Sequence, residues 1–209
     1  MLIVEPVLET PEVRDFPFWP VAGFPPYQFA PLSGRMTAEE VGSALAMLAD
    51  YNARAGDGDY PTDAEGLIRG LAEAEKILAP GGLRFHDTAT GTTVTPGCCC
   101  GLEDWREWLD VPAGESLWLG HAPSPRFEHH PGAVHLWPDG AEAPEPPSCP
   151  PVRIPLPTLP SILHTAQQDL LAFLTLTHEW ATPRFPPLAD ALVTALDKGL
   201  TVSEPLPRG

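Results

Sequence analysis

Basic residues are few in this sequence, and lysine is the rarest of them. Asp and Glu number 28 against 12 Lys and Arg, which gives a formal net charge of −16 over 209 residues, and the lysines are Lys76 and Lys198. Such a charge repels the phosphates of nucleic acids and of anionic membrane surfaces, so we expect neither as a partner. It favours solubility, and it attracts a basic protein partner.

Long hydrophobic runs are also missing. The longest nearly apolar helical run, LLAFLTL at residues 170–176, is far shorter than the roughly 20 residues that span a bilayer. The opening MLIVEPVLE is interrupted by Glu5 and Pro6 and has no basic start, unlike a secretory signal. Four cysteines, three of them adjacent, do not form a disulfide framework. These features predict a cytoplasmic protein.

The common catalytic signatures are absent as well. The glycine-containing stretches PGG (80–82) and GCCCG (97–101) match neither the phosphate loop of nucleotide-binding proteins nor the dinucleotide pattern. The serine-hydrolase sequence G-x-S-x-G does not occur. The missing motifs favour a binding protein over an enzyme.

The residues that are present divide the chain into four segments. Residues 1–36 are rich in proline and aromatic residues and predict an extended arm, with a short strand at residues 2–8. Residues 37–137 predict an α+β core, and residues 138–157 an acidic, proline-rich connector without regular structure. Residues 158–209 predict a helical segment packed on the core. The predicted fold class is α+β, with a helix pair, a small antiparallel sheet of hairpins and a C-terminal helix pair.

Capping boxes mark the first two predicted helices. Thr37, with Glu40 three residues later, begins the first helix. Thr62, with Glu65, begins the second, whose apolar stripe continues to Leu78 before the PGG stop.

Hydrophobic periodicity predicts the remaining elements. Apolar and polar residues alternate in the middle of the chain, whereas the C-terminal segment has helical spacing. The pattern predicts a hairpin at 83–95 with Gly91 in its turn, a strand at 116–120, a hairpin at 126–137 that pairs Phe127 with Leu136, and helices at 160–180 and 187–198, the last ending at Gly199.

The stretch TPGCCCGLEDWREWLD (95–110) contains the candidates for chemistry. Gly97 and Gly101 allow a sharp turn around Cys98–Cys100, and a helix over residues 102–109 follows at once. The N-terminus of that helix would stabilise a thiolate, whereas the acidic residues in its first turns would raise the thiol pKa. Because free cysteines are among the most often buried side chains, the favoured interpretation is a structural turn without a cofactor.

Two chemical alternatives remain open. In the first, Cys98 and Cys100 bind zinc together with His86 and His121, although the second Cys-x-x-Cys pair of structural zinc sites is missing. In the second, a cysteine of this turn is the nucleophile of a hydrolase with His86 or His121 as its base, although no known signature surrounds it. Both describe a zinc- or thiol-dependent enzyme centred on the Cys98–Cys100 turn.

The helix after the cysteines has two contrasting sides. At α-helical spacing, Leu102, Trp105 and Leu109 face the core, with Trp108 beside them. Its acidic residues are Glu103, Asp104, Glu107 and Asp110. They are the best candidates for partner binding, because a helix holds their charges on a fixed scaffold.

The block from GGLRFHDTATGTTVTPGCCCGLEDWREWLD to WLGHAPSPRFEHHPGAVHLWPDG, about residues 81–140, resembles a family of proteins from high-GC bacteria. The string PGCCCGLEDWREW carries this resemblance, and the C-terminal helices show it more weakly. No activity is assigned to that family, so the resemblance implies no functional residue. In size, acidity and lack of catalytic motifs, the chain is also similar to toxin-immunity proteins of bacterial competition systems. The leading hypothesis is therefore a non-catalytic acidic binding protein that covers a basic partner such as a toxin, as immunity and inhibitor proteins do.

Overall fold

The computed structural model describes residues 1–11, 16–56, 58–139 and 149–207, and it confirms the α+β class. The strands are β1 (Leu2–Glu9), β2 (Phe29–Pro31), β3 (Gly81–Asp87), β4 (Thr92–Val94), β5 (Arg126–His130), β6 (Ala133–Trp137) and β7 (Val152–Pro155). The α-helices are α1 (Ala38–Ala55), α2 (Ala64–Ala72), α3 (Leu159–Ala181) and α4 (Ala189–Leu200). A long 3₁₀ helix covers Leu102–Ala113, and a short one covers Leu156–Thr158. No helix within these ranges combines the length and the apolar character needed to cross a membrane.

The first sheet is antiparallel with the strand order β2-β1-β3-β4. β1 therefore lies in its interior, so the segment predicted as an extended arm (1–36) contributes two strands to the sheet. Pro6 is tolerated in β1 because its backbone polar groups point toward β2 and not toward β3. Its carbonyl accepts the Leu32 N–H at 2.8 Å, on the β2 side and beyond the pairing of Val7–Glu9 with β2. The N–H that proline lacks would face the same side, so no bond between β1 and β3 is lost.

The second sheet consists of β5, β6 and β7 in antiparallel order. The predicted register of its hairpin is confirmed, with Phe127 opposite Leu136. The predicted hairpin of the first sheet is confirmed too, since β3 pairs with β4 around a turn that contains Gly91. The prediction of a strand at 116–120 is wrong, because this segment runs as a loop.

The predicted connector (138–157) differs from the structure at its C-terminal end. Residues 140–148 lie outside the described ranges, but Val152–Pro155 form β7 along β6. Val152 and Ile154 are fully buried on either side of the exposed Arg153, which is the period-two pattern of a strand. Two apolar residues within a proline-rich sequence are too few to reveal this period.

α1 begins at the predicted capping box. The Glu40 N–H donates to Thr37 Oγ1 at 3.3 Å, and the Thr37 N–H donates to the Glu40 carboxylate at 2.7 Å. α2 begins at Asp63 and not at Thr62, because the Asp63 carboxylate accepts the Gly66 N–H at 2.7 Å.

α2 also ends earlier than its apolar stripe predicts, at Ala72. Asn52 of α1 binds the backbone at the end of the predicted stripe. Its amide donates to the Leu78 carbonyl at 2.8 Å and accepts the Leu78 N–H at 2.9 Å. These two bonds satisfy the backbone of Leu78 outside a helix, so the chain after α2 is held in a non-helical conformation.

The C-terminal helices confirm the predicted pair with changed ends. α3 nearly coincides with the predicted helix at 160–180, whereas α4 runs through Gly199, its predicted stop, and ends at Leu200. A Cβ at Gly199 would lie 2.8 Å from the Cβ of Ile77. Gly199 therefore permits close packing of α4 on the chain after α2 and does not terminate the helix.

The segment after the cysteines forms a 3₁₀ helix (Leu102–Ala113), which is longer than the predicted α-helix at 102–109. Three residues per turn place every third side chain on the same face. The buried residues follow this period: they are Leu102, Trp105, Trp108 and Val111. Leu109, which α-helical spacing places on the buried face, is half-buried, and Trp108 takes its place in the core.

Trp105 joins this helix to the C-terminal helices. Its side chain is 2% exposed, and its Nε1–H donates to the Leu200 carbonyl at the end of α4 at 2.8 Å. Beside it, Arg106 donates to the carbonyls of Thr201 and Glu204. The indole of Trp105 thus combines apolar burial with a satisfied polar atom, as a buried tryptophan requires.

We expect Trp105→Ala to lower the free energy of unfolding by about 3–5 kcal/mol, because it leaves a cavity and an unpaired Leu200 carbonyl. Urea denaturation followed by circular dichroism measures this change. Trp118→Ala is the matched control, because that side chain is 64% exposed and its loss should change stability by less than about 0.5 kcal/mol. An effect of Trp105→Ala below about 1 kcal/mol would contradict the burial described above.

Candidate functional site

The cysteine turn is fastened to the loop that carries His121. The Cys98 N–H donates to the His121 carbonyl at 2.7 Å, and the His121 N–H donates back to the Cys98 carbonyl at 3.3 Å. Gly97 and Gly120 make this approach possible. A Cβ at Gly97 would collide with the Pro123 carbonyl oxygen, and a Cβ at Gly120 would lie 2.6 Å from the Gly97 carbonyl carbon. A side chain at either position would push the two segments apart.

Neighbouring side chains in an extended chain point to opposite sides, but Cys98 and Cys99 do not. Cys99 adopts a left-handed backbone conformation (φ 69°), and the two Sγ atoms lie 3.5 Å apart. Cys98, Cys99 and His121 form a group of exposed side chains, the thiol–imidazole group, whose ligand atoms all lie within 4.8 Å of one another. Within the described part of the chain, these three residues are the potential metal ligands that the structure brings together.

The thiol–imidazole group differs from the four residues that the sequence indicated as zinc ligands. Cys98 and His121 belong to both sets, and Cys99 is the member that the sequence analysis missed. The Sγ of Cys100 instead faces a backbone carbonyl of the loop before His121. His86 lies on β3, where its ring is bonded to a threonine hydroxyl of β4. The left-handed conformation that brings Cys99 into the group cannot be inferred from a pattern of residue types.

Two thiols of the turn, those of Cys98 and Cys100, have raised pKa values. Burial raises the pKa of Cys100 to about 11, and the nearby charge of Asp104 acts in the same direction. A hydrogen bond with Cys99 raises the pKa of Cys98 above its usual value. Because the thiolate is the reactive form, these pKa values count against the hypothesis of a cysteine hydrolase.

A cleft of about 280 Å³ lies between the cysteine turn, the 3₁₀ helix and the first sheet. Its walls are largely apolar and include Leu83, Phe85, Val94, Trp105, Trp108 and Leu136. The polar edge of the cleft is formed by two exposed carboxylates, Asp104 and Glu107, and by the exposed indole of Trp118. The cleft therefore combines an apolar interior with negative charge at its edge.

Of the four acidic residues predicted to bind a partner, three form one exposed row. The three-residue period places Asp104, Glu107 and Asp110 on one face of the 3₁₀ helix, and all three are exposed. We call them the acidic row. Glu103 lies on another face, half-buried, where its carboxylate accepts the Ala79 N–H at 2.9 Å. Glu103 thus has a structural contact, and the exposed charge is concentrated in the row beside the cleft.

Trp118 is a further residue of this region that the sequence analysis did not single out. Its side chain is 64% exposed, and its ring stacks on that of His121, with centroids 6.3 Å apart and 24° between the planes. In the sequence, this tryptophan stands within SLWLG, and the alternation of apolar and polar residues assigns that stretch to a strand. The exposure of that tryptophan depends on the tertiary structure.

No protein-family model matches the chain, and neither a curated protein nor a solved structure is significantly similar to it. The family resemblance of the string PGCCCGLEDWREW therefore stays a prediction. The fold and the site define an α+β protein that has an apolar cleft with an acidic edge and, beside it, the thiol–imidazole group.

We expect Cys100 to react slowly with iodoacetamide at neutral pH and increasingly fast up to about pH 11, because burial raises its pKa to about 11 and the thiolate is the reactive form. Compared with an unstructured cysteine, the thiolate fraction at neutral pH should be lower by on the order of 100-fold. Mass spectrometry measures the alkylation rate against pH in a Cys98→Ser/Cys99→Gly/Cys149→Ser variant, in which Cys100 is the remaining thiol.

A synthetic peptide of residues 95–103 with the same substitutions is the control, since it keeps the neighbouring residues and removes the fold. The peptide should titrate near the ordinary cysteine value of about 8.5. A rate in the folded protein that reaches half its maximum below about pH 9 would contradict the raised pKa and restore the nucleophile hypothesis.

Proposed function

We propose that this protein is a non-catalytic acidic binding protein that covers a basic segment of a partner protein, as immunity and inhibitor proteins do. One observation carries the proposal: an apolar interior, the exposed carboxylates of Asp104 and Glu107, and the exposed indole of Trp118 meet in a single cleft. A toxin with a basic surface is the kind of partner that this chemistry fits.

The chemistry of the cleft fits an arginine side chain. The aliphatic part of arginine can pack against the partly exposed Leu117 and Leu119, which line the cleft, while the guanidinium stays at the solvated edge. Carboxylates bind a guanidinium through paired hydrogen bonds, and Asp104 and Glu107 lie one 3₁₀ turn apart at that edge. Trp118 offers a ring face for a cation–π contact.

The size and the charge of the site favour a protein partner over a cofactor. The volume of about 280 Å³ is at the lower end of the range of ordinary ligand pockets, about 300–1,000 Å³, and a single inserted side chain is small enough to enter it. The net charge of −16 steers a basic protein toward the surface, and this attraction weakens as salt rises. The four cysteines are free thiols, which supports a cytoplasmic setting as part of the proposal.

The alternative, a thiol-dependent enzyme centred on Cys98–Cys100, has less support. The pKa values of Cys98 and Cys100 are raised, whereas a nucleophilic cysteine requires a lowered value. A general base must also contact the group that it deprotonates. The hydrogen bond that His121 makes through Nδ1 goes to the Cys98 carbonyl oxygen, at 3.1 Å, and not to a thiol.

NMR titration with a short blocked peptide that contains clustered arginines tests the proposal. We expect the indole N–H signal of Trp118 to shift on binding, with an affinity that falls as salt rises. The matched citrulline peptide, which keeps the shape and lacks the charge, should not bind. Asp104→Asn/Glu107→Gln should weaken binding of the arginine peptide by about tenfold or more, which corresponds to about 1.4 kcal/mol.

Glu75→Gln/Glu179→Gln is the matched control, because it removes two exposed negative charges that do not line the cleft. We expect this variant to bind the peptide nearly as the wild type does. If the two double variants weakened binding equally, the effect would be one of net charge alone. If the citrulline peptide bound as tightly as the arginine peptide, the carboxylates would have no role in binding. Either result would overturn the proposed function of the cleft.

A further inference from the structure

The thiol–imidazole group is a second chemical feature, and the binding function above does not use it. We propose that Cys98, Cys99 and His121 bind a thiophilic divalent cation of the Zn²⁺ type, with a fourth coordination position open to solvent. Cys99 also lines the arginine cleft, but the inference does not rest on the proposed function, because it is argued from the ligand atoms of the group and not from the carboxylates of the cleft.

The backbone at Cys99 is the first observation that supports the site. A left-handed conformation (φ 69°) costs about 1–2 kcal/mol for a residue with a Cβ. Glycine adopts it freely, yet the glycines of this stretch, Gly97 and Gly101, stand on either side of the cysteines. Strain of this kind is concentrated at functional sites, and here it accompanies the convergence of two thiols.

The separation between the two sulfurs is close to that in a thiolate-bound metal site. Two Zn–S bonds of about 2.3 Å at the tetrahedral angle hold their sulfurs about 3.8 Å apart. The Sγ atoms of Cys98 and Cys99 are 3.5 Å apart, and a ring nitrogen of His121 lies within 4.8 Å of both. The two sulfurs therefore already stand near the required separation, and the His121 ring must move toward them to complete three ligands around one ion.

The hydrogen bond of His121 prepares its other nitrogen for a metal. Nδ1 lies 3.1 Å from the Cys98 carbonyl oxygen, which accepts and cannot donate, so Nδ1 carries the proton. The neutral ring then has its lone pair on Nε2, and binding of an ion held by the two thiols requires the ring to bring this nitrogen toward them. Metal-binding histidines usually donate from the far nitrogen to a carbonyl or carboxylate in this way, which fixes the orientation of the ring.

The ligand types select the class of ion. Thiolate and imidazole ligands favour Zn²⁺ and related thiophilic ions over Mg²⁺ and Ca²⁺, which prefer oxygen. All three side chains are exposed, so a water molecule or an external ligand can complete the tetrahedron. The two backbone hydrogen bonds between Cys98 and His121 hold the turn and the His121 loop together without the ion.

Cobalt substitution in the full-length, reduced protein tests the site. Co²⁺ bound by thiolates gives a sulfur-to-metal charge-transfer absorption, and Zn²⁺ should displace it. Cys98→Ser and His121→Asn should weaken binding by about 100-fold or more, because even substitutions outside a ligand set cost about 10- to 100-fold. Cys100→Ser and His86→Asn are the controls, since these residues lie outside the group, and both should bind as the wild type does.

Cys99→Gly is the decisive variant. Glycine adopts φ 69° without strain, so this variant should fold as the wild type does by circular dichroism while losing the charge-transfer absorption. A Cys99→Gly protein that binds Co²⁺ with wild-type affinity would overturn the site. Loss of binding in Cys100→Ser, or a reduced wild-type protein without the absorption at stoichiometric Co²⁺, would overturn it as well.

Discussion

The three-residue period of the 3₁₀ helix at Leu102–Ala113 is the constraint on which the site depends. With this period, one row of side chains is buried in the core, a second row is half-buried and a third row is exposed to solvent. Trp105 and Trp108 anchor the core row, so the helix cannot rotate without exposing an indole. An α-helix over the same residues would turn each successive carboxylate of the acidic row by about 60°. The 3₁₀ geometry therefore creates a continuous acidic edge along the cleft.

The first sheet positions both parts of the site through its third strand. The Gly81 N–H donates to the Cys100 carbonyl at 3.0 Å, and the Leu102 N–H donates to the Ala79 carbonyl at 2.7 Å. These bonds fix the end of the cysteine turn and the start of the 3₁₀ helix against the same end of β3. The cleft and the thiol–imidazole group are therefore held by one backbone junction, and a distortion of this junction would affect both.

Sequence patterns predict the elements whose stabilising contacts are local. The capping box of Thr37 and Glu40 and the hairpin of β5 and β6 join residues that are close in the chain, and both are confirmed. The interior position of β1 depends on pairing with the distant β3, and the early end of α2 accompanies the bonds of Asn52. The conformation of Cys99 and the exposure of Trp118 depend on the tertiary structure in the same way. The candidate residues could thus be found by type, whereas their grouping could not.

The cysteine turn forms part of both proposed sites, the cleft and the thiol–imidazole group. The two sites differ in how ligand binding changes their charge. When two neutral thiols lose their protons to a divalent cation, the two thiolates offset its charge, so the net charge of the group does not change. Metal binding at Cys98 and Cys99 would therefore leave the field of the acidic row largely unaltered. Cys99 belongs to the thiol–imidazole group and also lines the cleft, and Trp118, another lining residue, stacks on His121. A cation that fixes Cys99 and the His121 ring would restrict this indole, so linkage between the sites would act through Cys99 and Trp118.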